Sequence, residues 1–220
     1  MLQQWPFVKI VVIEDQKLVR EFVARVCDDA FAHPEIYHAA DAKEGLQVAH
    51  QAKPDLIILD LDLPDKDGLD LVADLRSAAR AARILILSSH VDAYAVHRFQ
   101  NSGADGFADK NEQSAEALCD AMRQIVAGNR FFSTQVKRAQ AALRADPKGF
   151  TKLLTDREIE VLRYFGEGLS DDQAGERVGI HGLTVRNHRR NLMMKLGIHS
   201  SPELLRYALD KGFTRIRPRS

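Results

Sequence analysis

LIILDLDLPDKDG, residues 56–68, joins a short apolar run to a cluster of aspartates and decides how the first half of the chain folds. Four consecutive apolar residues indicate a strand that is buried on both faces, as in a parallel sheet covered by helices. The aspartates that follow are Asp60, Asp62, Asp65 and Asp67. Because open parallel sheets bind ligands beyond the carboxyl ends of their strands, these aspartates mark a candidate functional site.

The same pattern, an apolar run followed by a helical segment, is repeated along the whole first half of the chain. The predicted strands are residues 8–13, 35–40, 56–60, 83–89 and 106–108. The predicted helices are residues 17–31, 41–52, 68–79, 92–102 and 114–127. The predicted fold class of this half is α/β, a five-stranded, parallel, doubly wound (flavodoxin-like) sheet.

The composition excludes several classes of protein. Hydrophobic residues make up 45% of the chain and charged residues 28%, as in ordinary globular proteins. The apolar runs are far shorter than the ~20 residues that cross a bilayer, and residues 1–10 show no secretory signal. Cys27 and Cys119 have no CxxC spacing. We therefore expect reduced thiols in a cytoplasmic protein that has no membrane partner.

The charge is unevenly divided, although the whole chain is neutral. Residues 1–130 hold 14 Lys and Arg against 21 Asp and Glu, a balance of −7. Residues 131–220 hold 17 against 10, a balance of +7. The basic half favours nucleic acid as a partner of the C-terminal part of the chain.

A second domain is predicted after a linker. Residues 129–150 end in a Pro/Gly segment and are predicted to connect a domain at 1–128 with a domain at 151–220. The predicted helices of the second domain are residues 154–168, 170–179, 183–197 and 201–212. Only the segment GIHG (179–182) connects the second and third of these helices, which is the spacing of a helix-turn-helix.

Helix-capping sequences support these boundaries. Thr155 and Ser170 are each followed, three residues on, by Glu158 and Gln173, the pattern of a capping box. Ser201 is predicted to cap the last helix, with a proline at its first helical position.

Polar side chains end four of the predicted strands. They are Glu14 and Asp15, Asp60, Ser88, and Lys110. Carboxylate oxygens suit Mg²⁺, and a carboxylate beside that ion can accept a phosphoryl group because the metal offsets the charge repulsion. A lysine and a hydroxyl complete the neutralisation. A single aspartate at a strand end is an ordinary surface group, but the complete set in register indicates a site.

Residues 8–127 resemble the receiver domain of bacterial two-component response regulators. The motifs that carry the resemblance are VVIEDQ (11–16), LIILDLDLPDKDG (56–68), LILSSH (85–90) and GADGFADK (103–110). The resemblance implies that Asp60 accepts a phosphoryl group from a sensor histidine kinase. It also implies that Mg²⁺ is bound by Asp15 and Asp60, by Glu14 through water, and by the backbone carbonyl of Asp62.

The remaining roles follow from the same resemblance. Ser88 is expected to bind the phosphoryl oxygens and to move towards them together with Phe107, while Lys110 pairs with the phosphate. The turn after the third strand needs Pro64 and Gly68, and Asp65 and Asp67 are interpreted as solvated turn residues. The departures from the usual pattern are Glu14, Ser88 and Asn111, which stand where aspartate, threonine and proline are common.

Residues 151–211 resemble the LuxR-type helix-turn-helix of the NarL/FixJ class of response regulators. The matching stretches are LTDREIEVLRYFGEGLS (154–170), LTVRNHRRNLMMKLGIHS (183–200) and PELLRYA (202–208). The predicted DNA-binding residues are Thr184, Arg186, Asn187, His188, Arg189, Arg190 and Lys195. The resemblance implies promoter DNA as a partner and a homodimer on phosphorylation, with residues 202–211 forming a dimer contact on DNA.

The second helix of this domain departs from the family. Asp171, Asp172, Ala174 and Gly175 stand where the family usually has Asn, Lys, Ile and Ala. Acidic residues oppose the DNA backbone, and a glycine inside a helix costs ~1 kcal/mol relative to alanine. We expect DNA binding that is weaker, or more dependent on dimerisation, than is usual in the class.

Three hypotheses follow. The favoured one is a phosphorylation-switched transcription regulator that is not an enzyme. The second is a receiver protein whose altered helix-turn-helix no longer reads DNA and which acts through protein contacts. The third is a haloacid-dehalogenase-like phosphatase, because LDLDLP contains an Asp-x-Asp pair, although its position on the third strand disfavours that reading.

Overall fold

Six parallel strands form the sheet of the first half of the chain. In this computed structural model, which describes residues 7–112 and 114–214, they stand in the order β2-β1-β3-β4-β5-β6. The strands are β1 (Val8–Ile13), β2 (Pro34–Ala39), β3 (Leu56–Leu59), β4 (Arg83–Ser88), β5 (Gly106–Asp109) and β6 (Phe131–Phe132). Residues 1–6, on which the absence of a secretory signal was judged in part, lie outside the described residues.

Five helices alternate with the first five strands, as the sequence predicts. They are α1 (Lys17–Ala30), α2 (Ala42–Ala52), α3 (Gly68–Ala78), α4 (Ala93–Ser102) and α5 (Ala115–Val126). The strands β1 and β3 are buried along almost their whole length, because helices cover both faces of the sheet. Cys27 and Cys119 are buried between α1 and α5 and form no disulfide.

The expectation of five strands is wrong by one. Phe131 and Phe132 pair with Gly106 and Phe107 as a sixth parallel strand. This strand lies inside the predicted linker, and two residues are too few to show a strand periodicity. The same segment contains α6 (Thr134–Ala145).

The second half of the chain is helical, as predicted. After α7 (Phe150–Leu153) come α8 (Asp156–Gly166), α9 (Asp171–Val178), α10 (Gly182–Leu196) and α11 (Ser201–Asp210). Both predicted capping boxes are present. The capping residue of the last helix lies one position earlier than predicted, because Ser200 and not Ser201 accepts the N–H of Glu203.

Contacts divide the chain into two compact units. Of the described residues, the first unit contains those up to Val91 and those in Arg98–Arg138, and the second contains Asp92–His97 and those from Ala139 onward. Among the described residues, no helix is both long enough and apolar enough to span a membrane.

A buried carboxylate on α8 forms an ion pair with a lysine on α10 within the second unit. Glu158 accepts hydrogen bonds from Lys195 Nζ at 2.7 Å and from the backbone N–H of Thr155 at 2.8 Å. Burial would raise the pKa of Glu158, but these bonds outweigh it and lower the pKa below the usual value. Since the folded-state pKa is depressed, the stabilisation is present at neutral pH and is lost as the pH falls through that pKa.

We expect Glu158→Gln to lower the free energy of unfolding of the second unit by about 1–3 kcal/mol at pH 7, because a charge-assisted buried contact is lost. The difference from the wild type should shrink as the pH falls below about 4.3, the unfolded-state value of glutamate. Urea unfolding at several pH values measures the loss of unfolding free energy and its dependence on pH. Glu160→Gln, which removes a more exposed pair with Arg157, is the control, and an equal loss in both variants would contradict the assignment.

Candidate metal centre and nucleic-acid interface

Three carboxylates converge at the carboxyl ends of β1 and β3. Glu14 and Asp15 follow β1 directly and Asp60 follows β3, and one oxygen of each lies within 4.8 Å of the others. The two strands are neighbours, with Ile13 opposite Leu59, so the residues that follow them meet at one edge of the sheet. The structure therefore brings the three predicted acids together.

Lys110 follows β5 and places its ammonium group against two of these acids. Its Nζ lies 2.6 Å from Oε2 of Glu14 and 3.0 Å from Oδ1 of Asp60. The side chains of Lys110, Glu14 and Asp60 are only 13%, 4% and 2% exposed. The predicted lysine thus lies within the acidic cluster and is shielded from solvent.

Burial and mutual repulsion govern the protonation of this cluster. Burial raises the pKa of Asp60, and Lys110 only partly opposes that effect. Burial and the nearby charge of Asp60 raise the pKa of Glu14. Burial alone would lower the pKa of Lys110, but the two carboxylates outweigh it and raise the pKa. One ammonium group does not fully compensate the buried carboxylates, and a hard divalent cation fits the oxygen donors that remain.

Ser88 ends β4 and is fully buried. Its Oγ accepts the backbone N–H of His90 at 3.1 Å, and its carbonyl accepts the N–H of Lys110 at 3.0 Å. Nε2 of His90 lies 3.2 Å from Oδ2 of Asp62. Sequence reasoning missed His90 as part of this site, although it lies two residues after Ser88, close to the carboxyl end of β4.

Phe107 lies on β5 and is completely buried. Its ring packs against Phe99 with centroids 5.5 Å apart, and Phe99 in turn packs edge-on against Phe132 at 5.6 Å. The peptide bond between Lys110 and Asn111 is trans. The ring of Phe107 is therefore connected through the Phe99 ring to the ring of Phe132 on the added strand β6, and the backbone of Phe107 also pairs with this strand.

The interpretation of Asp65 and Asp67 as solvated turn residues is incomplete, because Asp65 is exposed in the turn but both carboxylates have structural partners. Asp65 accepts hydrogen bonds from the first two backbone N–H groups of α2, at 2.9 and 3.1 Å. Asp67 caps α3 and lies 2.9 Å from a guanidinium nitrogen of Arg98. Both partners come from other parts of the chain, so the local pattern did not reveal them. Two of the four aspartates in the opening stretch are thus structural.

Gly68 is required by the close approach of the turn to β3. Its N–H donates to the carbonyl of Leu61 at 3.0 Å. A Cβ atom at this position would lie 2.1 Å from the backbone oxygen of Asp60 and 2.9 Å from Cα of Leu61. The turn therefore holds the backbone of Asp60 in place.

The helix-turn-helix of the second unit is closely packed at Gly175. A Cβ atom on Gly175 would lie 2.5 Å from the carbonyl oxygen of Ile180 and 3.2 Å from the nitrogen of Gly182. The glycine inside α9 thus allows the turn and the start of α10 to approach the helix. This contact offsets the cost that a glycine carries in a helix.

The predicted DNA-binding residues of α10 differ in exposure. Val185 and Leu192 are buried and form the inner face. The exposed residues are Thr184, Arg186, Asn187, Arg190 and Lys195, and the half-buried ones are His188 and Arg189.

Three basic side chains of α10 are paired within the unit. Lys195 is bound by Glu158, and Arg186 and Arg189 are bound by Asp171. An added Cβ at Gly182 would lie 1.9 Å from Oδ1 of Asp172, so this carboxylate lies beside the N-terminus of α10, where the helix dipole stabilises negative charge. Both unusual acids therefore face α10.

Comparison with known families matches both halves of the chain. Residues 10–123 match the model of the response regulator receiver domain. Residues 152–208 match the model of bacterial regulatory proteins of the luxR family.

Similar proteins align with most of the length of this chain. A nitrate/nitrite response regulator protein homolog of Haemophilus influenzae is 34% identical over 194 residues, which cover 87% of this chain and 91% of the relative. Transcriptional regulatory protein MctR of Rhizobium johnstonii is 30% identical over 208 residues, covering 94% and 95%. The structure of RcsB from Salmonella enterica serovar Typhimurium bound to a promoter has a TM-score of 0.64 at 19% identity, covering 93% of this chain and 98% of RcsB, and supports the fold alone.

We expect Gly68→Ala to lower the free energy of unfolding of the first unit by about 1–3 kcal/mol, because the added methyl group overlaps the backbone of Asp60. Differential scanning calorimetry measures the loss. Gly149→Ala is the matched control, since an added Cβ there meets no atom closer than 3.3 Å. Equal stability of the Gly68→Ala variant and the wild type would contradict the close approach.

Proposed function

The chain belongs to the bacterial response regulators with a LuxR-type DNA-binding domain, and on that premise we propose that Asp60 is its phosphorylation site. The observation that carries the proposal is the position of Lys110 Nζ, 3.0 Å from the Asp60 carboxylate inside a cluster of three acids. A carboxylate that is buried, held in a fixed orientation and faced by an ammonium group is suited to receive an anionic group.

The proposed reaction is phosphoryl transfer from a histidine of a sensor histidine kinase. The bond between phosphorus and the imidazole nitrogen breaks, its electron pair stays on nitrogen, and a new bond forms between phosphorus and a carboxylate oxygen of Asp60. Lys110 neutralises charge on the transferred group, and the Ser88 hydroxyl donates to one of its oxygens.

A magnesium ion is the proposed cofactor. Glu14, Asp15 and Asp60, with the backbone carbonyl of Asp62, would hold Mg²⁺, which supplies neutralisation of the negative charge that gathers between the acceptor and the phosphoryl group. The oxygen donors of these residues suit this ion.

Phosphorylation is proposed to switch the chain between two states. Ser88 and Phe107 shift, and the surface formed by the fourth and fifth βα units becomes a dimer face. On α11, Leu205 and Leu209 are four residues apart and 40% and 38% exposed, which suits a second apolar contact in the dimer. The dimer would present two copies of α10 to paired half-sites of a promoter.

The apolar side of α1 is the proposed contact for the kinase. Leu18 and Phe22 lie four residues apart and are 80% and 46% exposed. They line a cleft of about 520 Å³ whose wall also includes Lys110. An exposed apolar patch beside the acceptor site suits a helix of the kinase that presents the phosphorylated histidine.

We expect Asp60→Asn to abolish labelling by radioactive acetyl phosphate and to leave DNA affinity unchanged by acetyl phosphate, because the acceptor oxygen is lost. Labelling of the wild type should require Mg²⁺ and stop with a chelator. Asp65→Asn is the matched control, since Asp65 caps α2 and is expected to keep labelling. Undiminished labelling of Asp60→Asn would remove Asp60 from its role.

We expect the double variant Leu18→Ser, Phe22→Ser to receive phosphate from its kinase about tenfold more slowly, as for loss of an apolar hot spot. Its labelling by acetyl phosphate should match that of the wild type. Rapid-quench transfer from the purified kinase measures the first rate. Asp28→Ser, at the far end of α1, is the control. Unchanged transfer would place the kinase elsewhere.

The second candidate function is a receiver protein that acts without reading DNA. The pairing of Asp171 with two arginines of α10 favours it, because these arginines are partly neutralised. Absence of DNA binding by the phosphorylated protein in a gel shift at 50 mM salt would support this candidate. Salt-sensitive, sequence-selective binding would exclude it.

A further inference from the structure

Asp171, the first residue of α9, binds two arginines of α10. Its Oδ1 accepts a hydrogen bond from Nε of Arg189 at 2.9 Å, and its Oδ2 accepts one from Nη2 of the same residue at 2.8 Å. Oδ2 also accepts a hydrogen bond from Nε of Arg186 at 3.3 Å. The side chain of Asp171 is only 14% exposed, so the carboxylate is largely shielded from water and a charge pair there is weakly screened.

The two arginines are held in different ways. Arg189 is 24% exposed and makes a bidentate pair with Asp171, and its guanidinium carbon lies 5.6 Å from the ring centre of Phe165. Arg186 is 66% exposed and meets Asp171 only through Nε. The first is packed against the unit, whereas the second projects from the surface of α10.

This difference changes what each arginine can offer to DNA. The paired nitrogens of Arg189 face a carboxylate in the same fork geometry that a phosphate would use. A positive charge that is already neutralised inside the protein releases no counterion from DNA. Arg189 is therefore not available to bind the phosphate backbone of DNA.

Arg186 is affected in the opposite sense. The contact through Nε restrains the guanidinium plane and leaves Nη1 and Nη2 outside that contact. Two such nitrogens match the paired acceptors on the major-groove edge of guanine. A side chain whose orientation is restrained before binding loses less conformational freedom when DNA arrives.

We propose that Asp171 is a positioning residue that sets the sequence discrimination of α10. It lowers nonspecific attraction by neutralising Arg189, and it holds Arg186 in an orientation for reading bases. The inference rests on the proposed DNA binding and identifies the residue that separates specific from nonspecific contacts. The acidic substitution that departs from the family is therefore a determinant of selectivity.

The test measures the affinity of the full-length chain, treated with acetyl phosphate, by fluorescence polarisation between 50 and 200 mM salt. One probe is the duplex that the wild type enriches from a random-sequence pool, and the other is a shuffled duplex of equal composition. In Asp171→Asn, the slope of log affinity against log salt should steepen by about 0.9, an extra threefold to fourfold loss over this range. The preference for the enriched duplex should fall by at least about fivefold.

The double variant Asp171→Asn, Arg189→Gln is the matched control. Its salt slope should return to that of the wild type, because Arg189 supplies the added phosphate contact. A slope that stays at the wild-type value in folded Asp171→Asn overturns the proposal and leaves Asp171 with a structural role. Circular dichroism establishes that the variants are folded.

If Asp171→Asn does not fold, Asp171→Ser, which removes the same charge, takes its place. A slope steeper than that of the wild type by about 0.9 supports the proposal, and an unchanged slope overturns it. A wild type that binds no duplex at 50 mM salt contradicts the proposed DNA-binding function itself. A wild type that binds every duplex equally contradicts only the inference about Asp171.

Discussion

The ammonium group of Lys110, placed against two buried carboxylates, is the interaction on which the site of the first unit depends. Glu14 and Asp60 come from adjacent strands, and two buried negative charges side by side are unfavourable unless a cation accompanies them. Lys110 supplies one positive charge, yet the pKa of each carboxyl group stays raised. The buried cluster therefore carries an excess of negative charge that a second cation could neutralise. This is the physical reason that this edge of the sheet could hold a metal ion.

The second unit also contains carboxylates paired with basic side chains, but there the pairs lower the number of charges that are free at the surface. Lys195 forms an ion pair with the buried Glu158, and Arg189 forms one with Asp171. In both pairs the carboxylate lies on another helix and is less exposed than its partner. These pairs decide which basic groups of α10 remain available at the surface. A count of basic residues along the helix overestimates the charge that it presents.

Much of this organisation could be predicted from the sequence. The first five strands, the two capping boxes and the acids at Glu14, Asp15 and Asp60 follow from local patterns and from the rule for parallel sheets. The partners of Asp65 and Asp171, and the pairing of Asp67 with Arg98, could not be predicted, because they lie on distant segments and no local pattern encodes a contact between them. The strand β6 escaped prediction because two aromatic residues carry no periodicity.

The strand β6 also determines how sheets of two copies can meet. Its pairing with β5, together with the bond from the N–H of Ser133 to the carbonyl of Phe107 and that from the N–H of Asp109 to Ser133 Oγ, satisfies backbone groups along the outer edge of β5. The outer edge of the sheet is then β6, and an edge strand of two residues offers few backbone groups to a strand of a neighbouring molecule. Association at this side therefore relies on side chains, which limits uncontrolled growth of the sheet into larger aggregates.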